Sequence, residues 1–87
     1  MRAFVLIQKE AWGEPLAAAL RTIPGIDISD DLTGPYDAIA VAEAPSMRDL
    51  LDSIIPRIRE IPGVTHALPA QVIGSVSSSR SGVPAAA

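Results

Sequence analysis

In the stretch LTGPYD, residues 32–37, a hydroxyl, a glycine, a proline, a phenol and a carboxylate crowd together between two apolar runs. These residue types suit the capture of a free amino acid. The ammonium group of such a ligand needs an acceptor, and the Asp37 carboxylate is a charge-assisted one. Its carboxylate needs donors, which exposed backbone N–H groups around Gly34 and the Thr33 hydroxyl supply. Gly34 has no Cβ and lets a backbone come close to a ligand. The same residues also make a plain hairpin connection, with Gly-Pro turn chemistry, Asp37 satisfying turn amides and Tyr36 packing across the strands. On composition alone the turn is the simpler reading.

Other chemistry is sparsely furnished. His66 is the sole histidine, and a lone histidine is more often a surface or interface residue than a base or a ligand. No pattern marks a base beside any serine, and the absence of cysteine excludes disulfides, thiolate metal ligation and a Cys nucleophile. Asp27, Asp30, Asp31 and Glu43 form an acidic group without calcium-loop spacing, so a solvated strand edge is expected there rather than a metal site. Trp12, beside Gly13, reads as an anchor for the first loop more than as the cover of a pocket. Neither a cofactor nor an enzymatic activity is expected.

The chain has 87 residues, enough for one small domain, and a domain of this size is marginal alone. Hydrophobic residues at 48% against 20% charged exclude general disorder. The net charge is -3 and Lys9 is the only lysine, which argues against a nucleic-acid partner. The N-terminal apolar run is too short for a membrane span and is broken by Gln8, Lys9 and Glu10, so it reads as a strand and not a signal peptide. A soluble cytoplasmic protein is expected.

The elements that must position the turn follow from periodicity. Residues 2–9 alternate Ala3, Val5, Ile7 against Phe4, Leu6, Gln8, an interior strand apolar on both sides. Pro15 suits a first helical turn, and Leu16, Leu20 and Ile23 give a helix ending at Pro24-Gly25. Ile26, Ile28 and Leu32, alternating with Asp27, Ser29, Asp31 and Thr33, predict a half-exposed strand. After the turn, residues 36–43 predict a second interior strand, with Ala38, Ala40 and Ala42 facing away from Ile39 and Val41. Ser46 is a candidate cap with Asp49 in the first turn. Met47, Leu50, Leu51, Ile54, Ile58 and Ile61 keep helical spacing, and Pro56 predicts a kink near residues 52–55. Residues 64–73 predict a final strand that Pro69 confines to an edge. Residues 74–87 read as a flexible tail. IPGI at 23–26 recurs as IPGV at 61–64.

Two split βαβ halves account for this repeat. The expected fold is therefore α+β, a ferredoxin-like βαββαβ antiparallel sheet with both helices on one face. Helices on one side leave the other side of two doubly apolar strands bare. Sheet-to-sheet pairing with a second copy, a dimeric α/β barrel, is the expected cover.

The TGPYD turn between two strands, the IPGV that closes the second helix, and the βαββαβ frame resemble the effector-binding (RAM) domain of the Lrp/AsnC family of regulators. The resemblance spans about residues 3–73. It implies dimers paired through their sheets, octamer-like rings, and amino-acid effectors held at subunit interfaces by Thr33, Gly34, Tyr36 and Asp37. Full-length members carry an N-terminal winged helix-turn-helix; this chain starts at the first RAM strand and so resembles a stand-alone RAM protein, with no direct operator binding implied. Family members often carry Thr or Ser along the last strand where this chain has Ala67 and Pro69, which bears on amino-acid binding. The implied function is a homo-oligomeric amino-acid sensor that acts on transcription or metabolism by co-assembling with a full-length regulator. The alternatives are an effector-free interaction protein, or a small dimeric α/β-barrel enzyme using a cavity near His66 between sheet and helices.

Overall fold

The computed structural model describes residues 1–71 and residue 73; the tail expected over 74–87 lies outside the described residues. The elements run β1 (Arg2–Lys9), α1 (Ala17–Leu20), β2 (Ile26–Asp31), β3 (Ala38–Glu43), then α2 (Met47–Asp49), a π-helical stretch (Leu50–Ile54) and α3 (Ile55–Arg59) in one continuous run, and finally β4 (Val64–Gln71). The strands form one antiparallel sheet in the order β2-β3-β1-β4. This is the expected ferredoxin-like α+β topology. Pro69 sits in edge strand β4 opposite Val5, where a missing N–H is tolerated.

One side of the sheet carries the core. Ala3, Val5 and Ile7 of β1, Ala38, Ala40 and Ala42 of β3, and Ala67 of β4 are buried against Leu16, Leu20, Leu50, Ile54, Ile55 and Ile58 of the helices. The two Ile-Pro-Gly segments behave as true repeats. Ile26 N–H donates to Ile23 O and Val64 N–H to Ile61 O, each at a reversal where Gly25 (φ +100°) and Gly63 (φ +93°) take positive φ. Each glycine carbonyl then accepts an N–H from the end of a central strand: Glu43 to Gly25 O and Glu10 to Gly63 O, both 2.8 Å.

Three expectations are corrected. The first helix is one turn, shorter than the Leu16–Leu20–Ile23 spacing implied, because its end tightens: Thr22 and Ile23 N–H donate to carbonyls three residues back, and Thr22 Oγ1 also donates to Ala19 O. Leu51 is exposed and Ile55 takes its place in the core. Pro56 has no N–H to give, and just before it the helix widens, with Ile55 N–H donating to Leu50 O; the extra residue per turn rotates the apolar face. In β2 a register shift between Ile26 and Ile28 reverses the expected alternation. Ser29 turns inward to 1% exposure and its Oγ donates to Ala17 O at 2.8 Å, while Ile28 is turned out at 50% exposure.

The same shift turns Asp31 towards α1. Its Oδ1 accepts the N–H groups of Leu16 (2.8 Å) and Ala17 (3.0 Å), supplying from a neighbouring strand the cap that α1 lacks locally. Ser46 caps α2 as expected, accepting the Asp49 N–H and donating to Asp49 Oδ2. Asp31→Ala should therefore cost about 1–2 kcal/mol in urea unfolding, with Asp31→Asn recovering most of it. Gly25→Ala should cost about 1–3 kcal/mol, since a Cβ there meets Ile54 Cδ1 at 2.6 Å in addition to the strain of positive φ.

Candidate functional site

The LTGPYD connection is folded over the end of β1. Leu32 N–H donates to Asp37 O and Asp37 N–H to Ile7 O, both 2.9 Å. The side chains extend this ladder past the last paired residues. Asp37 Oδ2 accepts the Lys9 N–H at 2.8 Å, and Gln8 Nε2 donates to Pro35 O at 2.9 Å. Gly34 has φ +120° and open space where a side chain would begin. Asp37 thus satisfies a backbone amide, as the hairpin reading required, but that amide belongs to β1 and not to the turn.

Beside the turn lies a cleft of about 270 Å³ lined by Lys9, Gly13, Pro15, Asp31, Leu32 and Asp37. Of the four residues singled out by sequence, Asp37 alone reaches it. Thr33 and Gly34 are exposed and Tyr36 is half-buried, all three outside this cleft. Lys9 and Asp31 were not anticipated here. Lys9 comes beside Asp37 only because β1 pairs with β3, and exposed Asp31 turns to the start of α1 only because of the β2 bulge; neither is a local signal.

The remaining candidates disperse. The Trp12 ring lies over Gly63, as an anchor should, and also walls an apolar cleft of about 300 Å³ with Pro15, Leu16, Ile61 and Pro62. His66 is exposed on β4 opposite Gln8, on the sheet side away from the helices. Among the acidic residues, Asp27 (3.5 Å) and Glu43 (2.9 Å) flank Arg2, Asp31 caps α1, and Asp30 lies opposite Ile39. Among the described residues no three His, Asp or Glu side chains gather as a metal site would need. Ala67 is buried on the helix side and Pro69 is half-buried; neither lines the Asp37 cleft.

The sheet side that the helices leave uncovered is apolar. Phe4 (42% exposed), Ile28 and Leu68 (42%) surround half-buried Leu6, Ile39 and Val41. Register places Leu6 between Ile39 and Leu68, so the patch crosses β1, β3 and β4 without a break. No described helix is long and apolar enough to cross a membrane.

This fold recurs in solved structures. The crystal structure of FFRP-DM1 superposes with a TM-score of 0.71 at 26% identity, covering 83% of this chain and 97% of that one. TTHA0845 from Thermus thermophilus gives 0.70 at 25% identity over 85% and 94% of the two chains. The hypothetical protein PHS023 from Pyrococcus horikoshii, at 23% identity and a TM-score of 0.70, shares the fold over 92% and 98%. The match takes in nearly all of each of those chains, so the domain stands there with little else attached. No curated protein matches the chain. The family model of the Lrp/AsnC ligand-binding domain matches residues 2–81. With the expected topology, the doubly apolar sheet and the TGPYD turn all in place, the chain belongs to the Lrp/AsnC family and carries its ligand-binding domain.

Proposed function

We propose that this protein is a cytoplasmic, homo-oligomeric amino-acid sensor, in which the turn at Thr33, Gly34, Tyr36 and Asp37 contributes to an effector site completed at a subunit interface. It acts on transcription or amino-acid metabolism through a partner, a full-length regulator of the same family being the natural one. The observation that carries the ligand reading is the Asp37 carboxylate at the wall of a charged cleft, in a domain whose family binds ligands. That cleft falls below the range of about 300–1,000 Å³ typical of drug-sized ligands, which suits a small metabolite.

The oligomer reading rests on the bare sheet face. Monomers rarely leave an apolar patch on the order of several hundred Å² in water, and a face-to-face pair buries the same patch twice around a two-fold axis. Further association of such dimers gives the octamer-like ring. No enzymatic role is proposed: His66 stands on the open face, not between sheet and helices where an enzyme of this topology would need it. An effector-free interaction protein is the second reading. It is favoured by the engagement of Asp37 with Lys9 N–H and by the position of Thr33, Gly34 and Tyr36 outside the cleft.

Leu6→Glu places a charge at the centre of the open face without touching the helix side, and should give a folded monomer in analytical ultracentrifugation where the parent chain is a dimer or larger. An unchanged assembly would remove the sheet-to-sheet dimer. A thermal-shift screen of the standard amino acids separates the two readings. A ligand at about 100 times its Kd adds about 2.7 kcal/mol, several degrees in a domain this small. The shift should be selective and should fall in Asp37→Asn, which keeps an acceptor for Lys9 N–H but loses the charge. No shift with any amino acid selects the effector-free protein.

A further inference from the structure

The cleft beside Asp37 holds more charge than the turn motif accounts for. Lys9, the chain's only lysine, lines it together with two carboxylates. The Lys9 ammonium donates to Glu10 O at 3.1 Å and Trp12 O at 3.4 Å, both main-chain carbonyls of the β1–α1 loop. Among the described residues the ion pairs within 4.0 Å are those of Arg2, so Lys9 makes no direct ion pair with a carboxylate. Its two protein acceptors are both neutral, and one of its three protons has no described protein acceptor.

The carboxylates show the complementary pattern. Asp31 commits Oδ1 to the Leu16 and Ala17 N–H groups, and Asp37 commits Oδ2 to the Lys9 N–H. The second oxygen of each takes no hydrogen bond from a described protein group, so each carboxylate is fixed by one oxygen and has the other available. A cation with free donor capacity and two anchored anions with free acceptor capacity, together in one cleft, match a molecule that carries both charges a few bonds apart. Pro15 and Leu32 give the same cleft an apolar wall.

We infer that Lys9 is the partner of the ligand's carboxylate, so that the cleft selects zwitterionic α-amino acids over amines and over amino-acid amides. This rests on the proposal that the turn binds an amino acid. The α-carboxylate takes the Lys9 ammonium away from Glu10 O and Trp12 O. The α-ammonium meets the free oxygens of Asp37 and Asp31, and the side chain lies towards Leu32 and Pro15. Because Lys9 leaves the Trp12 carbonyl when it engages the ligand, the loop that carries the sole tryptophan responds to binding.

The test is a titration of the intact protein with each standard L-amino acid and with its C-terminal amide, followed by Trp12 emission and by calorimetry. It is repeated on Lys9→Gln, which keeps a long polar side chain, and on Lys9→Arg. The parent chain should prefer one or more amino acids over the matching amide by at least tenfold. Lys9→Gln should bind acid and amide alike at the weaker affinity, while Lys9→Arg keeps the preference. Circular dichroism of Lys9→Gln should match the parent. A preference that survives in Lys9→Gln, or equal binding of acid and amide by the parent chain, overturns the role of Lys9 and leaves the effector site standing. Binding of no amino acid by the parent chain overturns the effector site itself, and the role of Lys9 with it.

Discussion

The two faces of the sheet divide volume unequally, and the rest of the structure depends on that division. On the helix side the central strands present mostly methyl groups, Ala3, Ala38, Ala40 and Ala42, with Ala67 joining from the edge. The layer is filled from the helices by Leu16, Leu20, Leu50, Ile54, Ile55 and Ile58, all buried. The larger side chains, Phe4, Leu6, Ile39 and Val41, are left for the other face. A core that consumes its large residues on the helices is necessarily thin. The chain thus gains a second apolar layer only by placing another surface against the open side.

Loops on the helix side are held by carboxylates as well as by the Trp12 ring over Gly63. Asp31 reaches from the end of β2 to the start of α1, and Asp37 reaches from the start of β3 to the end of β1. Both satisfy backbone N–H groups that would otherwise be left at the ends of regular elements, and such a cap contributes about 1–2 kcal/mol. The first helix is only one turn long and cannot persist by its own propensity. Its position is set from outside, by Asp31 at one end and by the Ile23-Pro24-Gly25 reversal at the other. The cleft that Asp31 and Asp37 line is therefore bounded by elements these hydrogen bonds tie together.

Much of this was legible because it is periodic. The doubly apolar strands 2–9 and 38–43, the repeated Ile-Pro-Gly, the Ser46 cap and the edge position of Pro69 all follow from local pattern, and with them the topology. What escaped the sequence is what breaks a period. The bulge after Ile26 exchanges the faces of Ser29 and Ile28, and the widened turn ahead of Pro56 exchanges Leu51 for Ile55. Proline announced the second disturbance but not its sense; nothing in the order of residues 26–31 announced the first. Of the turn residues expected from their chemistry, Asp37 lines the cleft while Thr33, Gly34 and Tyr36 do not. Lys9 was not expected there, because its nearness to Asp37 is a consequence of strand order, and strand order is a property of the whole chain.

The hairpin and proposed ligand readings of LTGPYD need not compete, since Asp37 Oδ2 accepts the Lys9 N–H and Oδ1 is left open. A free aspartate side chain must be ordered when it binds, at a cost in rotamer entropy, and an aspartate already tied to Lys9 N–H has met that cost in folding. The same holds for Asp31, fixed by two N–H groups of the helix. Anchoring each carboxylate to the backbone by one oxygen restricts the directions its other oxygen can take. For the proposed ligand, then, the structural bonds of Asp31 and Asp37 to the backbone are themselves the preorganisation, and the fold around the hairpin supplies what the turn sequence alone could not.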